Sequence, residues 1–326
     1  MTKKKMLFIY NPRAGKGTVR TMLSYILEEF GRHDMEITVH PTIRSRDAAE
    51  TMRSEGSRYD LVVCSGGDGT LDEVVDGMMR GGFKVPVGYI PAGSTNDFAG
   101  SLGIPREMAD AAASIAGGKV FSCDVGRLND EYFIYVAAFG AFTEVSYSTS
   151  QDSKNALGHL AYVLEGMKSL PAIKNWKLRY ESRECSGEGK FLYGMITNSN
   201  SVGGFKGITG KNVTLNDGLF EVTLIEDPEN ILDWPAIVNA LLNHVDDPHV
   251  ITFKTSHVEF YSDEEIPWTT DGEFGGSYKT TVLENLTKAL PIILGRQPDE
   301  LEEDPHMQSL FLQINSKNSL LQKLFG

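Results

Sequence analysis

A glycine-rich turn follows an apolar run in the stretch Asp60-Leu-Val-Val-Cys64-Ser-Gly-Gly-Asp68-Gly-Thr-Leu71. The run up to Cys64 is short and β-branched, which is typical of a buried strand. Apolar residues then recur at helical spacing at Leu71, Val74, Val75, Met78 and Met79. Because glycine has no Cβ, phosphate oxygens can approach the main chain of this turn, and Asp68 suits Mg²⁺ bound directly or through water. A turn shaped only by packing is the alternative.

Two more polar loops follow predicted strands, one on each side of this turn. They are Asn11-Pro-Arg-Ala-Gly15-Lys16-Gly17 and Pro91-Ala-Gly93-Ser-Thr-Asn96-Asp97-Phe98. The first is not a Walker A loop, because Tyr10 stands where that motif needs glycine, and it is either an anion cradle or an ordinary turn. In the second, Asn96 or Asp97 can cap a helix. Since the strand ends of a parallel sheet share one edge, we expect the three loops to converge.

The patterning changes near residue 125. Before it, strands predicted at Lys5–Tyr10, Glu36–His40, Asp60–Cys64 and Val85–Ile90 alternate with helices, which indicates an α/β domain with a parallel sheet. After it, short aromatic or β-branched segments predict an antiparallel sandwich or barrel, and we take the sandwich. These segments are Tyr132–Ala138, Trp176–Tyr180, Phe191–Asn198, Leu219–Ile225 and His257–Tyr261, with helices at Leu157–Leu170 and Ile231–Leu242. The predicted domains are 1–125 and 126–289, with 290–326 packing back on the first.

Composition excludes several classes of protein. The 326 residues carry 31 Lys and Arg against 44 Asp and Glu, and this net charge of -13 argues against nucleic-acid binding. Three scattered cysteines favour neither a disulfide framework nor a zinc site and predict a cytoplasmic location. No targeting or membrane-spanning segment is visible, so a lipid would be reached from the water side. The cations Lys154, Lys168, Lys174, Lys177 and Arg179 form either a docking patch or an ordinary solvated face.

With the three loops in this order, the sequence resembles the catalytic domain shared by diacylglycerol, sphingosine and ceramide kinases. It is most similar to the soluble bacterial diacylglycerol kinases, within the wider fold class that includes NAD kinases. The similarity continues through Asp124-Val-Gly126, Thr197-Asn-Ser199, Asn216-Asp-Gly-Leu-Phe220 and Asp271-Gly-Glu273 and so covers nearly the whole chain. The resemblance implies transfer of the γ-phosphoryl group of ATP to a lipid hydroxyl, most simply from diacylglycerol to phosphatidic acid. The motifs are specific for the family and poorly specific for the lipid.

The resemblance also implies an ATP site between the two domains and a Mg²⁺ site in the second. The nucleotide contacts would be Asn11, Pro12, Arg13, Ala14, Gly15, Lys16, Thr42, Gly66, Gly67, Asp68, Gly69, Thr70, Leu71, Asp72, Glu73, Ser94, Thr95 and Asn96. The metal would be held by Thr214, Asp217 and Leu219, the first and last through their carbonyl oxygens. Without the resemblance, Asn216-Asp217-Gly218 is typical of a hairpin turn.

The catalytic residues implied are Asp271, Glu273, Asp68 and Asp97. In the family, Asp271 and Glu273 face the nucleotide; one takes the proton of the lipid hydroxyl, while the other orients that hydroxyl or helps to hold metal. The sequence does not say which does which, and a surface turn is the commonest fate of Asp-Gly. Gly100 departs from the family, in which a basic side chain often stands near the Asp68, Asp97 and Asp124 carboxylates, although Lys16 is retained.

Two other functions stay open at this point. The Gly-Gly-Asp-Gly turn is shared with NAD kinase-like enzymes, in which a later Asn-Glu pair would grip the adenosine. The second open function is that of a non-catalytic lipid or nucleotide sensor with the same fold. A binding module, however, does not need four carboxylates together, namely Asp68, Asp97, Asp271 and Glu273. For a lipid kinase we expect peripheral contact with the inner face of the cell membrane. The apolar C-terminal tail is compatible with a homodimer.

Overall fold

The computed structural model describes residues 3–140, 174–202, 205–206, 209, 213–228 and 230–296. Strands and helices alternate in its first part. The elements are β1 (Lys4–Tyr10), α1 (Val19–Gly31), β2 (Met35–Pro41), α2 (Asp47–Glu55), β3 (Leu61–Gly66), α3 (Asp68–Gly81), β4 (Val87–Pro91), α4 (Asp97–Ser101) and α5 (Met108–Gly117). This alternation confirms the predicted α/β domain at the N-terminus.

Strands β1 to β4 lie side by side in the order β4–β3–β1–β2, and each neighbouring pair is parallel. Phe8 of β1 lies between Val39 of β2 and Val63 of β3. All six residues of β3 are buried, as expected of a strand covered on both faces, and this explains its unbroken apolar run. Because the strands are parallel, the loops after β1, β3 and β4 all begin at one edge of the sheet.

The described part of the second half is rich in strands, as predicted. Its elements are β5 (Lys119–Leu128), β6 (Glu131–Phe133), β7 (Val136–Gly140), β8 (Trp176–Ser182), β9 (Ser186–Thr197), β10 (Ser201–Val202), β11 (Phe205–Lys206), β12 (Phe220–Glu226), α6 (Trp234–Asn243), β13 (Val250–Thr255), β14 (His257–Thr270) and β15 (Glu273–Leu294). The neighbours in the order β13–β12–β9–β7–β14–β15 are all antiparallel. Phe139, Phe260 and Trp268 pack together in its core, with ring centroids 4.8 Å apart for Phe139 and Trp268.

Strand β15 joins the two halves. Its 22 residues pair with β14, then with β5, and at Ile292 with Val87 of β4. The register with β5 shifts between Leu286 and Leu290, where Lys288 has a φ of 54°. The two halves therefore share one hydrogen-bonded sheet, and β5 runs across the expected boundary at residue 125.

The structure corrects one predicted strand. Residues Tyr132–Ala138 do not form a single strand, since β6 ends at Phe133 and β7 begins at Val136. Ile134 and Tyr135 lie between these two strands, and their N–H groups donate to the side chain of Asp271 instead of to a neighbouring strand. By contrast, the helix predicted from Ile231 to Leu242 is present as one 3₁₀ turn followed by α6.

Several expectations lie outside the described residues. They concern the helix at 157–170, the cations Lys154 and Lys168, and the apolar tail after residue 296, on which the homodimer expectation rested. Within the described ranges, no helix is both long and apolar enough to cross a bilayer.

Candidate active site

The three loops at the edge of the parallel sheet touch one another. The N–H of Asn11 donates to the carbonyl of Ser65 at 2.8 Å, and the N–H of Ala92 donates to the carbonyl of Gly66 at 2.7 Å. Gly15 has a φ of 55°, and a Cβ there would lie 2.4 Å from the Ala92 oxygen. The loops after β1, β3 and β4 therefore form one surface, as the sequence predicts.

Internal packing explains one glycine of the central turn and one of the neighbouring loop. A Cβ on Gly66 would lie 2.3 Å from the Thr70 hydroxyl oxygen, and one on Gly93 would lie 2.7 Å from the Cα of Gly67. By contrast, a Cβ on Gly69 would meet nothing within 4 Å. The packing alternative thus accounts for Gly66 and for Gly93 in the neighbouring loop, and Gly69 leaves open space at the first turn of α3. The N-terminus of a helix favours an anion at such a position.

Asp68 is the first residue of α3, and only one of its two carboxylate oxygens has a hydrogen-bond partner among the described residues. Oδ2 accepts a hydrogen bond from the N–H of Asp97 at 3.0 Å and so caps α4. Oδ1 is buried without a hydrogen-bond partner among the described residues. Burial, with a further contribution from the charge of Asp97, raises the pKa of Asp68 to about 6. A buried carboxylate oxygen without a donor is a suitable ligand for a cation or for its bound water.

Asp97 connects the first half of the chain to the second. It is 4% exposed, and its Oδ1 accepts a hydrogen bond from the Ser201 hydroxyl at 2.7 Å. Beside it, the hydroxyl oxygens of Ser101 and Ser199 lie 2.8 Å apart. These contacts fix α4 against the segment that follows β9, a role that the sequence did not indicate for Asp97.

Asp271 and Gly272 form the two-residue turn between β14 and β15. Their φ angles are 49° and 85°, as a type I′ turn requires, and Thr270 pairs with Glu273 across it. Asp271 is only 7% exposed, whereas Glu273 is exposed. The turn was expected; Gly272 and Glu273 are exposed, but the Asp271 side chain is buried, so the two carboxylates lie in different environments.

Three consecutive main-chain N–H groups hold the Asp271 carboxylate. Ile134 donates to Oδ2 at 2.6 Å, and Tyr135 and Val136 donate to Oδ1 at 3.1 and 2.9 Å. In return, the N–H of Asp271 donates to the carbonyl of Val136 at 2.8 Å, and the Tyr135 hydroxyl donates to the carbonyl of Asp271 at 3.1 Å. Every residue other than proline has a main-chain N–H, so the sequence gives no sign of which residues donate to Asp271. The break between β6 and β7, which the sequence did not predict, is the feature that reveals these donors.

Carboxyl groups from both halves meet at Asp271. Burial is the main cause that raises the pKa of Asp271 to about 7; the three N–H groups oppose it and the charge of Asp68 adds to it. The half-buried Asp72 of α3 is another charged neighbour of Asp271. Burial, and then the charges of Asp271 and Asp76, raise the pKa of Asp72 well above its usual range. A buried acid with a pKa near neutrality can accept a proton at physiological pH.

Comparisons with known proteins agree with this geometry. The model of the "Diacylglycerol kinase catalytic domain" matches residues 5–128, and that of the "YegS C-terminal NAD kinase beta sandwich-like domain" matches residues 137–294. The diacylglycerol kinase of Bacillus subtilis (strain 168) is 32% identical over 305 residues, which are 92% of this chain and the whole of that protein. This chain belongs to the diacylglycerol kinase family.

Further relatives support the same assignment. The diacylglycerol kinase of Staphylococcus carnosus is 33% identical over 284 residues, 86% of this kinase and 92% of that protein. In fold, the kinase is similar to the crystal structure of a diacylglycerol kinase from Bacillus anthracis str. Sterne. The TM-score is 0.71 at 22% identity, and the match covers 90% of this chain and 98% of the other. The predicted enzyme class, a lipid kinase that uses ATP, is confirmed.

Some predicted nucleotide contacts of the kinase have structural roles. The two carboxylate oxygens of Glu73 accept hydrogen bonds from the N–H groups of Arg46 and Ala48, at 2.8 and 3.1 Å, and so cap α2. Asn96 braces its own loop, accepting from the N–H of Gly93 and donating to its carbonyl. Leu71 is fully buried in the apolar core, so only its main chain could meet a nucleotide.

The other predicted contacts differ in exposure. Arg13, Gly15, Lys16, Gly69, Ser94 and Thr95 are exposed; Asn11, Pro12, Thr42, Gly67, Asp68 and Asp72 are half-buried; Ala14, Gly66 and Thr70 are buried. The exposed and half-buried groups lie on the touching loops and the start of α3, with the exception of Thr42, which follows β2. Thr42 is joined to this edge by its N–H, which donates to the carbonyl of Tyr10 at 2.9 Å.

The predicted metal-binding turn of the kinase, Asn216-Asp217-Gly218, is hydrogen-bonded to Asp124. Asp124 is fully buried, and its two oxygens accept from the N–H groups of Gly218 and Lys288, each at 2.7 Å. Asp217 is exposed, and its Oδ1 accepts from the N–H of Leu219 at 3.0 Å. One carboxylate and two carbonyls are all hard oxygen donors, which suit Mg²⁺ completed by water. The described residues contain no group of three or more His, Cys, Asp or Glu side chains arranged for a metal.

Carboxylates neutralise the described part of the predicted cationic patch. Lys174 pairs with Glu264 at 2.9 Å, Lys177 pairs with Glu188 at 3.5 Å, and Arg179 pairs with Glu181. These pairs are exposed and individually weak, but together they remove the local excess of positive charge. The described residues therefore supply no strong electrostatic attraction to anionic lipid at this place.

Proposed function

We propose that this kinase transfers the γ-phosphoryl group of ATP to the free hydroxyl of diacylglycerol, and that Asp271 is the general base. The observation that carries the proposal is the environment of Asp271: a carboxylate from the second half, buried beside Asp68 and Asp72 of α3 and oriented by three N–H groups. Glu273, exposed at the far side of the same turn, orients the lipid hydroxyl.

The phosphates of ATP bind at the first turn of α3 and beside Lys16. Gly69 supports this position because it leaves the main chain uncovered. Mg²⁺ would be held by the unpartnered oxygen of Asp68 and, at a second site, by Asp217 with the carbonyls of Thr214 and Leu219. When bound, Mg²⁺ neutralises charge on the phosphates. Asp97 keeps α4 and its loop in place.

The proton transfer takes place at Oδ2 of Asp271. As the acceptor oxygen forms its bond to the γ-phosphorus, its proton passes to Oδ2, and the bond from phosphorus to the leaving oxygen of ADP breaks. Positioned base catalysis of this kind contributes roughly 10²–10⁴-fold. The rest of the rate enhancement comes from positioning and charge neutralisation.

We infer that the second half is an antiparallel sandwich that meets the membrane at its periphery. The antiparallel pairings and the aromatic cluster of Phe139, Phe260 and Trp268 support the sandwich. Phe274 supports the membrane contact, since it is 64% exposed and directly follows Glu273. Vesicle co-sedimentation tests this: Phe274→Ser should bind vesicles more weakly, whereas Leu232→Ser, at a site that is 77% exposed, should not. Equal losses would refute the contact.

The experiment that tests the proposed reaction measures Mg²⁺-dependent transfer of labelled γ-phosphate to a panel of lipids in mixed micelles. Asp271→Asn should abolish labelling of diacylglycerol, whereas Asp263→Asn, an exposed carboxylate of the same strand β14, should retain it. Labelling of a different lipid would identify that lipid as the acceptor. Labelling of NAD would favour the NAD kinase-like reaction. ATP binding without label in any lipid would favour a sensor.

A further inference from the structure

Arg80 lies near the end of α3 and contacts the second half of the chain. Its Nη2 donates to the carbonyl of Asp130 and to Oε2 of Glu131, each at 2.9 Å. Its guanidinium also faces the ring of Tyr132, with 5.7 Å between Cζ and the ring centroid. Asp130 belongs to the turn between β5 and β6, and the other two residues belong to β6. Arg80 therefore joins α3 to the β5–β6 hairpin.

A buried carboxylate fixes the orientation of the Arg80 guanidinium. Nε donates to Oδ1 of Asp76 at 2.6 Å, one turn earlier on the same helix. The Asp76 side chain is 4% exposed, and its Oδ2 accepts from Nη2 of Arg46 at 2.8 Å. The planar fork of arginine allows it to bind Asp76 and the hairpin at the same time. The contact between α3 and the hairpin is therefore directional, unlike that of a mobile surface ion pair.

The same hairpin is bound to β15 through Asn129. The N–H of Asn129 donates to the carbonyl of Val282 at 2.8 Å, and its Oδ1 accepts from the N–H of Val282 at 2.9 Å. Strand β15 begins at Glu273, directly after the turn that contains Asp271. The hairpin thus connects α3 with the strand that follows the proposed base.

The Arg80 contact joins the two segments that phosphoryl transfer requires at a set separation. The first turn of α3, with Gly69, is the proposed phosphate site, and Arg80 lies about 18 Å further along the same helix. On the other side, β6 leads from Glu131 directly to Ile134, the first of the three consecutive N–H donors to Asp271. Because both elements are regular, a shift of the hairpin relative to α3 would move these donors relative to the phosphate site.

We propose that Arg80 is a positioning residue that sets the separation between the phosphate site on α3 and the Asp271 carboxylate. This inference rests on the proposed function, in which Asp271 is the base. Arg80 acts on the reaction through α3 and the hairpin, not as a contact to ATP or to the lipid. Since a misplacement of about 1 Å between reacting groups can cost roughly 10²-fold in rate, a contact of small energetic value has a large effect on catalysis.

Arg80→Lys tests the proposal, because lysine keeps the positive charge beside Asp76 but lacks the fork that also reaches the hairpin. Initial rates are measured in mixed micelles well below the melting temperature and are normalised to folded enzyme. We expect kcat for diacylglycerol to fall about tenfold, with the KM for ATP changed by less than about threefold. An ion pair with only a structural role would lower the melting temperature and leave kcat unchanged, and that result would overturn the proposal.

Arg46→Lys is the matched control. Arg46 directly precedes α2, and its guanidinium binds the other oxygen of the Asp76 carboxylate, so this contact lies within the first half of the chain. The substitution should lower the melting temperature and leave kcat in place. Equal reductions of kcat in Arg46→Lys and Arg80→Lys would refute a specific role for the contact with the hairpin.

Hydrogen exchange provides a readout that does not need activity. Peptides that span residues 126–136 report on the N–H groups of β6 and of the three donors to Asp271. They should exchange about fivefold faster in Arg80→Lys than in the wild type or in Arg46→Lys. Unchanged exchange would refute the positioning of the hairpin by Arg80. If Asp271→Asn retained activity, the base role would fail, and the exchange result would still decide whether Arg80 holds the hairpin.

Discussion

The N–H of Ile134 donates to Oδ2 of Asp271 at 2.6 Å, across 137 positions of sequence. This bond and those from Tyr135 and Val136 lie at the break between β6 and β7 and direct main-chain donors at one side chain. Consecutive N–H groups of this kind form an anion-binding concavity. Here they bind a carboxylate of the protein itself and so fix the orientation of the proposed base.

The activity of the wild type should depend on pH with an acid limb near neutrality. Burial raises the pKa of Asp271 to about 7, and a base must be ionised to act. We therefore expect kcat/KM to fall about tenfold for each pH unit below 7 and to level off above it. Initial rates in mixed micelles at constant Mg²⁺ and ionic strength measure this. A flat profile from pH 5 to 8 would contradict it.

Tyr135→Phe should slow the reaction without weakening ATP binding. The Tyr135 hydroxyl donates to the carbonyl of Asp271 at 3.1 Å and holds the turn in its left-handed conformation. Loss of one such bond corresponds to about 1 kcal/mol, so kcat should fall about fivefold with the KM for ATP unchanged. Tyr278→Phe is the control, because that hydroxyl donates to the carbonyl of Gly275 on β15 and not to Asp271. Equal effects of both changes would argue against a positioning role.

Glu73→Gln should affect stability more than nucleotide binding. Glutamine has one side-chain acceptor oxygen, so it cannot replace both hydrogen bonds to the N–H groups of Arg46 and Ala48. We expect a loss of about 1–2 kcal/mol of unfolding free energy in urea. Glu50→Gln removes only the exposed pair with Arg44 and should leave the stability nearly unchanged. A Glu73→Gln variant of normal stability that binds ATP much more weakly would restore the nucleotide role expected from the sequence.

Alanine should have opposite effects at two glycines near the site. At Gly15, with a φ of 55°, a Cβ would lie 2.4 Å from the Ala92 oxygen, so Gly15→Ala should destabilise by more than about 2 kcal/mol. At Gly100, in α4, a Cβ would meet nothing within 4 Å, so Gly100→Ala should stabilise by about 0.4–1 kcal/mol. Urea unfolding of both variants measures the difference. A Gly15→Ala variant as stable as the wild type would show that the two loops separate easily.

Thiol labelling should distinguish one cysteine from the other two. Cys64 and Cys123 are fully buried, and burial raises the pKa of both thiols well above the usual range. Cys185 is half-buried. Since the thiolate is the reactive form, a disulfide reagent should label one thiol in the native protein and three in urea. Rapid native labelling of Cys64 would mean that β3 opens readily.

Much of the first half could be predicted because its signals are local. The apolar run before Gly66 is a strand covered on both faces, and the residues after Asp68 follow the helical period of α3. Parallel pairing then brings the loops after β1, β3 and β4 together without any long-range information. The same signals do not reveal which glycine leaves space for a ligand, since the neighbours of Gly66 and Gly69 differ only in three dimensions.

By itself, the sequence determined the α/β fold of the first half, the strand-rich second half, the turn at Asp271 and Gly272, and the family. Tertiary structure alone decided which carboxylate is buried. Asp271 and Glu273 are two residues apart and chemically similar, yet only Asp271 meets the N–H groups of Ile134, Tyr135 and Val136. The physical reason is that burial of a carboxyl group depends on donors and charges brought from distant segments, and main-chain N–H groups are the same at every non-proline position.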